Sequence, residues 1–174
     1  MAENENGENA STPAAEGGAA EQAQAQVGIL AQYVKDLSFE NPNAPASLQK
    51  LAEAKPSIDV SVNVNARQIG EDVFEVDLKI TANAKHDAEA AFIVELLYSG
   101  LFGAKNLPQD ALQPFLLIEC PRLLFPFARR VISDATRDGG FPPLMLEPID
   151  FANLYVQHLE QQKNTPAAAE QTVN

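Results

Sequence analysis

Few side chains in this chain could carry covalent or metal chemistry: one cysteine, Cys120, and two histidines, His86 and His158. A zinc site needs three or four Cys, His or carboxylate ligands, typically in closely spaced pairs. These three residues stand far apart and make no such pattern, so no metal is expected. Nucleophilic work would fall to Cys120, which precedes Pro121 at an expected helix start, where backbone N–H groups favour thiolate. Its flanks, Phe115-Leu116-Leu117-Ile118 and Leu123-Leu124-Phe125, argue instead for a buried, inert thiol. The neighbouring carboxylates Glu71 and Asp72 fall in an expected turn, where solvation accounts for them. No G-x-x-x-x-G-K-[ST] run is present, so a phosphate-cradling loop for ATP is not expected. No cofactor and no catalytic residue is assigned, and the chain does not read as an enzyme.

Binding is left, and charge narrows the partner. The formal net charge is −12, whereas nucleic acid is held chiefly by Lys and Arg that displace counterions from phosphates. Nucleic acid is therefore excluded. Outside the N-terminus the acid concentrates at Asp36, Glu40, Asp59, Glu71, Asp72, Glu75, Asp77 and Glu95, which suits a basic partner; the simpler account is a surface that only maintains solubility. Residues 1–26 combine Ala, Glu, Asn, Gly and Gln with no basic residue. Such a stretch cannot bury enough apolar surface to offset the entropy of ordering, so it reads as a disordered acidic extension, and 163–174 reads as a disordered tail. One domain remains, 27–162. A basic-then-apolar leader is missing and no run approaches the ~20 apolar residues of a membrane span, so a cytoplasmic protein without direct membrane insertion is expected. A lone cysteine agrees with a reducing compartment.

The elements that would present a binding surface are legible from periodicity. Ile58, Val60, Val62, Val64 and Ala66 alternate with polar residues, and after a turn at Gly70–Asp72 so do Phe74, Val76, Leu78, Ile80 and Ala82. Successive side chains of a strand face opposite sides, so this is a hairpin with one apolar and one solvated, partly acidic face. A strand over Val27–Glu40 places Val27, Ile29, Ala31, Tyr33, Leu37 and Phe39 on one side and Gln32, Asp36, Ser38 and Glu40 on the other. Prolines 42 and 45 end it. A loop with Leu48 and Leu51 leads into the hairpin. A fourth strand over Ala90–Phe102 sets Phe92, Val94, Leu96 and Tyr98 against Ile93, Glu95 and Leu97. Beyond Pro108 the period becomes helical. A short piece over Gln109–Ile118 precedes an amphipathic helix over Pro121–Arg137, with Leu124, Phe127, Ala128, Val131 and Ala135 in one stripe and a kink or break expected at Pro126. An extended connector, Phe141–Leu146, leads to a last helix capped by Asp150. Four strands followed by helices imply an α+β fold: a four-stranded antiparallel sheet with helices packed on one face. The surplus apolar residues of the helical half imply subunit contact or a binding groove.

Particular runs are more specific than periodicity. Tyr33-Val34-Lys35-Asp36-Leu37-Ser38-Phe39-Glu40-Asn41-Pro42-Asn43-Ala44-Pro45, the run Cys120-Pro121-Arg122-Leu123-Leu124-Phe125-Pro126-Phe127-Ala128-Arg129, Gly140-Phe141-Pro142-Pro143-Leu144 and Leu146-Glu147-Pro148-Ile149-Asp150-Phe151 closely resemble the bacterial SecB family of protein-export chaperones. The resemblance implies a homotetramer, a dimer of dimers, that holds unfolded precursor proteins in the cytosol without ATP and passes them to the SecA motor. It implies a SecA-binding surface at Asp36, Glu40, Ile93 and Glu95. It implies client-binding grooves at Leu48, Leu51, Ile58, Val60, Val62, Phe141, Leu144, Leu146, Phe151 and Leu154. Relatives often carry a tryptophan before strand two, and this chain has none. Two other classes compete: a small-ligand enzyme, which would need convergent polar groups in a pocket, and a structural oligomeric module without client holding.

Overall fold

The computed structural model describes residues 24–164. Four long strands, β1 (Gln26–Glu40), β2 (Ser57–Gly70), β3 (Val73–His86) and β4 (Glu89–Lys105), form one antiparallel sheet in the order β1-β4-β3-β2. Gln26 thus belongs to the sheet, and the last helix takes in Lys163 and Asn164; the rest of the expected extension and tail lies outside the described residues.

Alternation dictates the layering. Val62 lies opposite Ile80, Val64 opposite Leu78, Leu78 opposite Tyr98 and Ile80 opposite Leu96, so even-numbered residues of β2, β3 and β4 share one face. On that face Val76, Leu78, Ile80, Val94 and Leu96 are buried to 1% exposure or less, each contributing roughly 1.5–3 kcal/mol of apolar burial. The odd-numbered face carries Glu75, Asp77, Lys79 and Thr81 beside Ile93, Glu95 and Leu97.

β1 departs from strict alternation twice. Its pairing with β4 shifts by one residue between Ile29 and Ala31 and again between Val34 and Asp36. Each bulge inserts an unpaired residue and reverses the facing. Val27 and Ile29 therefore share a side with Val34, Leu37 and Phe39, while Ala31 and Tyr33 turn to the polar side, opposite Leu101 and Ser99. The expectation that Ala31 and Tyr33 join the apolar row fails for this reason, and Gln32 takes the inner side instead, opposite Gly100.

After β1, the side chain of Asn43 donates to the Ala90 carbonyl at 2.9 Å, and the hydroxyl of buried Ser47 donates to Asn41 Oδ1 at 2.6 Å. These bonds tie down a short helix, α1 (Ala46–Lys50), where a loop was expected. The helical half begins with α2 (Gln109–Pro114), which passes through a wide π-type turn at Phe115–Glu119 into α3 (Cys120–Asp138). The break expected at Pro126 is displaced. The turn widens just before Pro121, whose ring and missing N–H leave no room for an ordinary i−4 bond, whereas Pro126 sits on the exposed side of a continuous α3. The buried stripe of α3 is Leu124, Ala128, Ile132 and Thr136; Phe127 is exposed, and Val131 and Ala135 flank the stripe, half-buried. That stripe packs on β3 and β4. The joined helix, Gln109–Asp138, is long and apolar enough by length and composition to cross a bilayer, an outcome two separate pieces did not suggest; here the stripe lies on the sheet. α4 (Phe151–Asn164) begins where Asp150 Oδ1 accepts the Asn153 N–H at 3.0 Å, the expected cap.

Candidate functional site

Both faces of the sheet carry surface that core packing leaves open. On the polar face Asp36 lies opposite Leu97, Ser38 opposite Glu95, and Glu40 opposite Ile93. The four expected partner-binding residues, Asp36, Glu40, Ile93 and Glu95, thus stand together on adjacent strands. The first two are exposed and the other two half-buried. Lys79 Nζ reaches Glu95 at 3.7 Å, an exposed pair of little energetic weight. This end of the face combines carboxylates with the apolar side chains of Ile93 and Leu97, which suits a partner that is basic and partly apolar.

The other end of the same face holds a charged cluster that sequence reasoning did not assemble. Glu75 is 4% exposed. Its carboxylate accepts the Tyr33 hydroxyl at 2.5 Å, Lys35 Nζ at 2.9 Å and Arg67 Nε at 2.6 Å. The neighbouring Asp77 accepts Lys35 Nζ at 3.2 Å and the Ser99 hydroxyl at 2.5 Å. The Tyr33 hydroxyl, with Lys35 and Arg67, outweighs desolvation and holds the Glu75 carboxyl down at about 2. Arg67 lies directly opposite Glu75 across β2 and β3, a pairing that strand alternation contains. Tyr33 and Lys35 reach it only through the β1 bulge, for which the sequence carries no signal.

On the inner face a cleft of about 220 Å³ is lined by Leu51, Lys55, Pro56, Ile58, Phe92, Phe141, Pro142, Pro143 and Leu144. Its base is an aromatic cluster: Phe92 and Phe141 have centroids 4.8 Å apart, and Phe39 stacks on Phe92 at 5.7 Å. Gly139 makes room for this cluster, since a Cβ there would stand 2.2 Å from the Phe39 ring. Leu48 lies over the Gly140 backbone, where a Cβ would be 3.3 Å from its Cδ2. Thr136 fastens the connector: its hydroxyl donates to the Ile132 carbonyl at 3.0 Å and accepts the Leu144 N–H at 2.9 Å. Farther along β2, Val62 and Leu154 line a hollow of about 180 Å³ with Val64, Leu117 and Tyr155. Val60, between the two, is exposed.

The ten expected client-binding residues therefore divide. Leu51, Ile58, Phe141 and Leu144 converge on the cleft, Val62 and Leu154 line the second hollow, and Leu48 and Val60 are exposed beside them. Leu146 and Phe151, 5% and 2% exposed, are core residues. Phe151 packs edge-on against Phe125, and unlike the equally buried Phe141, which lines the cleft, neither Leu146 nor Phe151 lines the cleft or the second hollow. Reasoning from sequence did not include Phe92 and Phe39, which it assigned to strand faces without linking them to the connector.

Residues with chemical potential stay apart. Cys120 is fully buried, and burial, with Glu119 nearby, pushes its thiol up to about 12. The thiolate-favouring helix start does not exist, because α3 continues the preceding wide turn and the Cys120 N–H is already bonded to the Phe115 carbonyl. Among the described residues no group of His, Cys, Asp or Glu is arranged to hold a metal.

A family model described as preprotein translocase subunit SecB matches residues 20–162. The chain belongs to the SecB family. Relatives named protein-export protein SecB include that of Rhizorhabdus wittichii, 60% identical over 79% of this chain and 81% of the relative, and that of Zymomonas mobilis, 57% identical over 79% and 82%. A SecB-like chaperone from Mycobacterium tuberculosis, solved in complex with a peptide from an antitoxin, superposes with a TM-score of 0.60 at 17% identity, covering 71% of this chain and 90% of that one. At that identity the likeness speaks for the fold. The SecB fold of this chain is thus a four-stranded antiparallel sheet with helices on one face.

Proposed function

We propose that this chain is a cytoplasmic, ATP-independent export chaperone that holds precursor proteins unfolded on its inner, groove-bearing face and delivers them through its acidic outer face to the SecA motor. The observation that carries this reading is the pairing, on one sheet, of an open row of apolar hollows along β2 with a separate group of carboxylates on β1 and β4. Burying one large apolar client side chain is worth roughly 1.5–3 kcal/mol. Several such contacts along one flexible chain reinforce one another through effective concentration. An unfolded precursor then binds firmly while a folded protein, its apolar side chains already buried, is ignored. Holding of this kind makes and breaks no covalent bond. Exposed Leu123 and Phe127 on α3 support assembly as a dimer of dimers.

Mixing the protein with a denatured precursor at near-stoichiometric amounts, without nucleotide, is expected to delay refolding. Unchanged refolding would reduce the chain to a structural oligomer. Charge reversal at Asp36, Glu40 and Glu95 is expected to weaken SecA binding in a salt-sensitive way and leave that delay intact; equal loss of both activities would reject the separation of the two faces.

A further inference from the structure

Of the three carboxylates grouped on β1 and β4, one is already engaged. Among the described residues Asp36 and Glu40 make no ion pair, whereas Lys79 Nζ stands 3.7 Å from Glu95 Oε2. The sheet register brings this about. Thr81 lies opposite Glu95 and Lys79 opposite Leu97, so Lys79 is the diagonal neighbour of Glu95, within reach of a long side chain. Leu97 lies in turn opposite Asp36. With neighbouring strands about 4.8 Å apart, the backbone of Lys79 is roughly 10 Å from that of Asp36, so this cation borders the carboxylate group on its β3 side.

Farther along the same face, cations are held more closely. Lys35 is 2.9 Å from Glu75 and 3.2 Å from Asp77, and Arg67 is 2.5 Å from Glu75, whose side chain is nearly buried. The Lys79 contact differs in kind. At 3.7 Å it is beyond hydrogen-bond reach, and the two side chains are 54% and 42% exposed, so water and salt screen it and it holds weakly. A partner cation that hydrogen-bonds Glu95 exchanges this loose contact for a tighter one. Lys79, once released, stays beside the newcomer as a like charge. It therefore opposes docking twice, by occupying Glu95 beforehand and by repelling the cation that replaces it.

We propose that Lys79 is a built-in competitor for the basic partner: it holds Glu95 in the free protein, must yield that carboxylate on docking, and so limits the affinity of the docked state. The inference rests on the outer face being the SecA-docking surface, and the experiment keeps the two apart. SecA affinity of the full-length protein is measured at about 0.1 M salt, where exposed charges more than roughly 10 Å apart are largely screened, with thermal melts reporting folding. The variants are Lys79→Gln, Lys79→Arg, Glu95→Gln, the double change Lys79→Gln with Glu95→Gln, and Lys105→Gln. Lys105, about ten residues from Glu95 along β4 and roughly 34 Å away, controls for net charge. Lys79→Gln is expected to tighten binding about threefold, a gain that disappears at about 1 M salt. Lys79→Arg keeps the charge and is expected to bind at the native level or below it, and Lys105→Gln at the native level. Without Glu95 the gain from Lys79→Gln is expected to shrink. Native or weaker binding by Lys79→Gln, a gain matched by Lys105→Gln, or one that persists in full in the Glu95→Gln background would overturn the competition and leave the docking face standing. Unchanged affinity on charge reversal at Asp36, Glu40 and Glu95 together would overturn the docking face and this inference with it.

Discussion

Glu75 ties four residues' chemistry to the acid stability of the sheet. Its ordinary carboxyl value is 4.5, and in the folded chain the Tyr33 hydroxyl and the Lys35 and Arg67 cations hold it at about 2. Between those values the unfolded chain takes up a proton that the folded chain refuses, so acid favours unfolding. The contribution is fully present above about pH 4.5 and disappears as the pH falls toward 2. Denaturant midpoints measured between pH 2 and 5 are expected to fall more steeply for the native sequence than for Glu75→Gln; equal slopes would mean that the carboxylate has no such role. Cys120 illustrates the opposite case. Surrounded by core, its thiol is pushed up rather than down, which removes the nucleophile that its position beside Pro121 suggests.

At the scale of elements, the connector between α3 and α4 matters most, because residues 141–144 form one wall of the inner cleft. Little regular structure holds it: the Phe141 N–H donates to the Thr136 carbonyl at 3.1 Å, and the Leu144 N–H donates to the Thr136 hydroxyl. Thr136→Val keeps the volume and deletes that acceptor, leaving a partly buried N–H unpaired. The expected cost is about 1–3 kcal/mol in equilibrium unfolding, with faster amide exchange at Leu144 and weaker client holding. A variant with native stability and exchange would show that the connector is held by packing of Phe141 and Leu146 alone.

At the scale of the molecule, the described residues include two further exposed apolar surfaces away from the inner hollows: Leu123 and Phe127 on α3, and Val27, Ile29, Val34 and Leu37 on β1. β1 is also an edge with unpaired backbone groups, and a long apolar edge of this kind aggregates unless something covers it. A dimer of dimers would cover both surfaces. Light scattering on the native protein is expected to give about four times 18.8 kDa. Leu123→Glu with Phe127→Glu is expected to lower that mass and preserve the circular dichroism spectrum. A native protein of single-chain mass would remove the assembly.

The four strands and the long helix, though not α1, followed from the sequence alone, because alternation in β2, β3 and β4 and the three-and-four spacing in α3 are local consequences of where backbone geometry points each side chain. The grouping of Asp36, Glu40, Ile93 and Glu95 was implied by the family resemblance, not by periodicity, since only the sheet order makes β1 and β4 neighbours. What the sequence left open depends on residues distant in the chain. Tyr33 faces Glu75 only because β4 and β3 pull β1 into two bulges, and no periodicity in β1 records that pull. Leu146 and Phe151 resembled Leu144 and Leu154 by type and spacing, yet packing against the core buries the first pair and leaves the second at the hollows. Facing is set by the local chain, whereas exposure is set by whatever packs against it, and that is decided only when the tertiary structure closes.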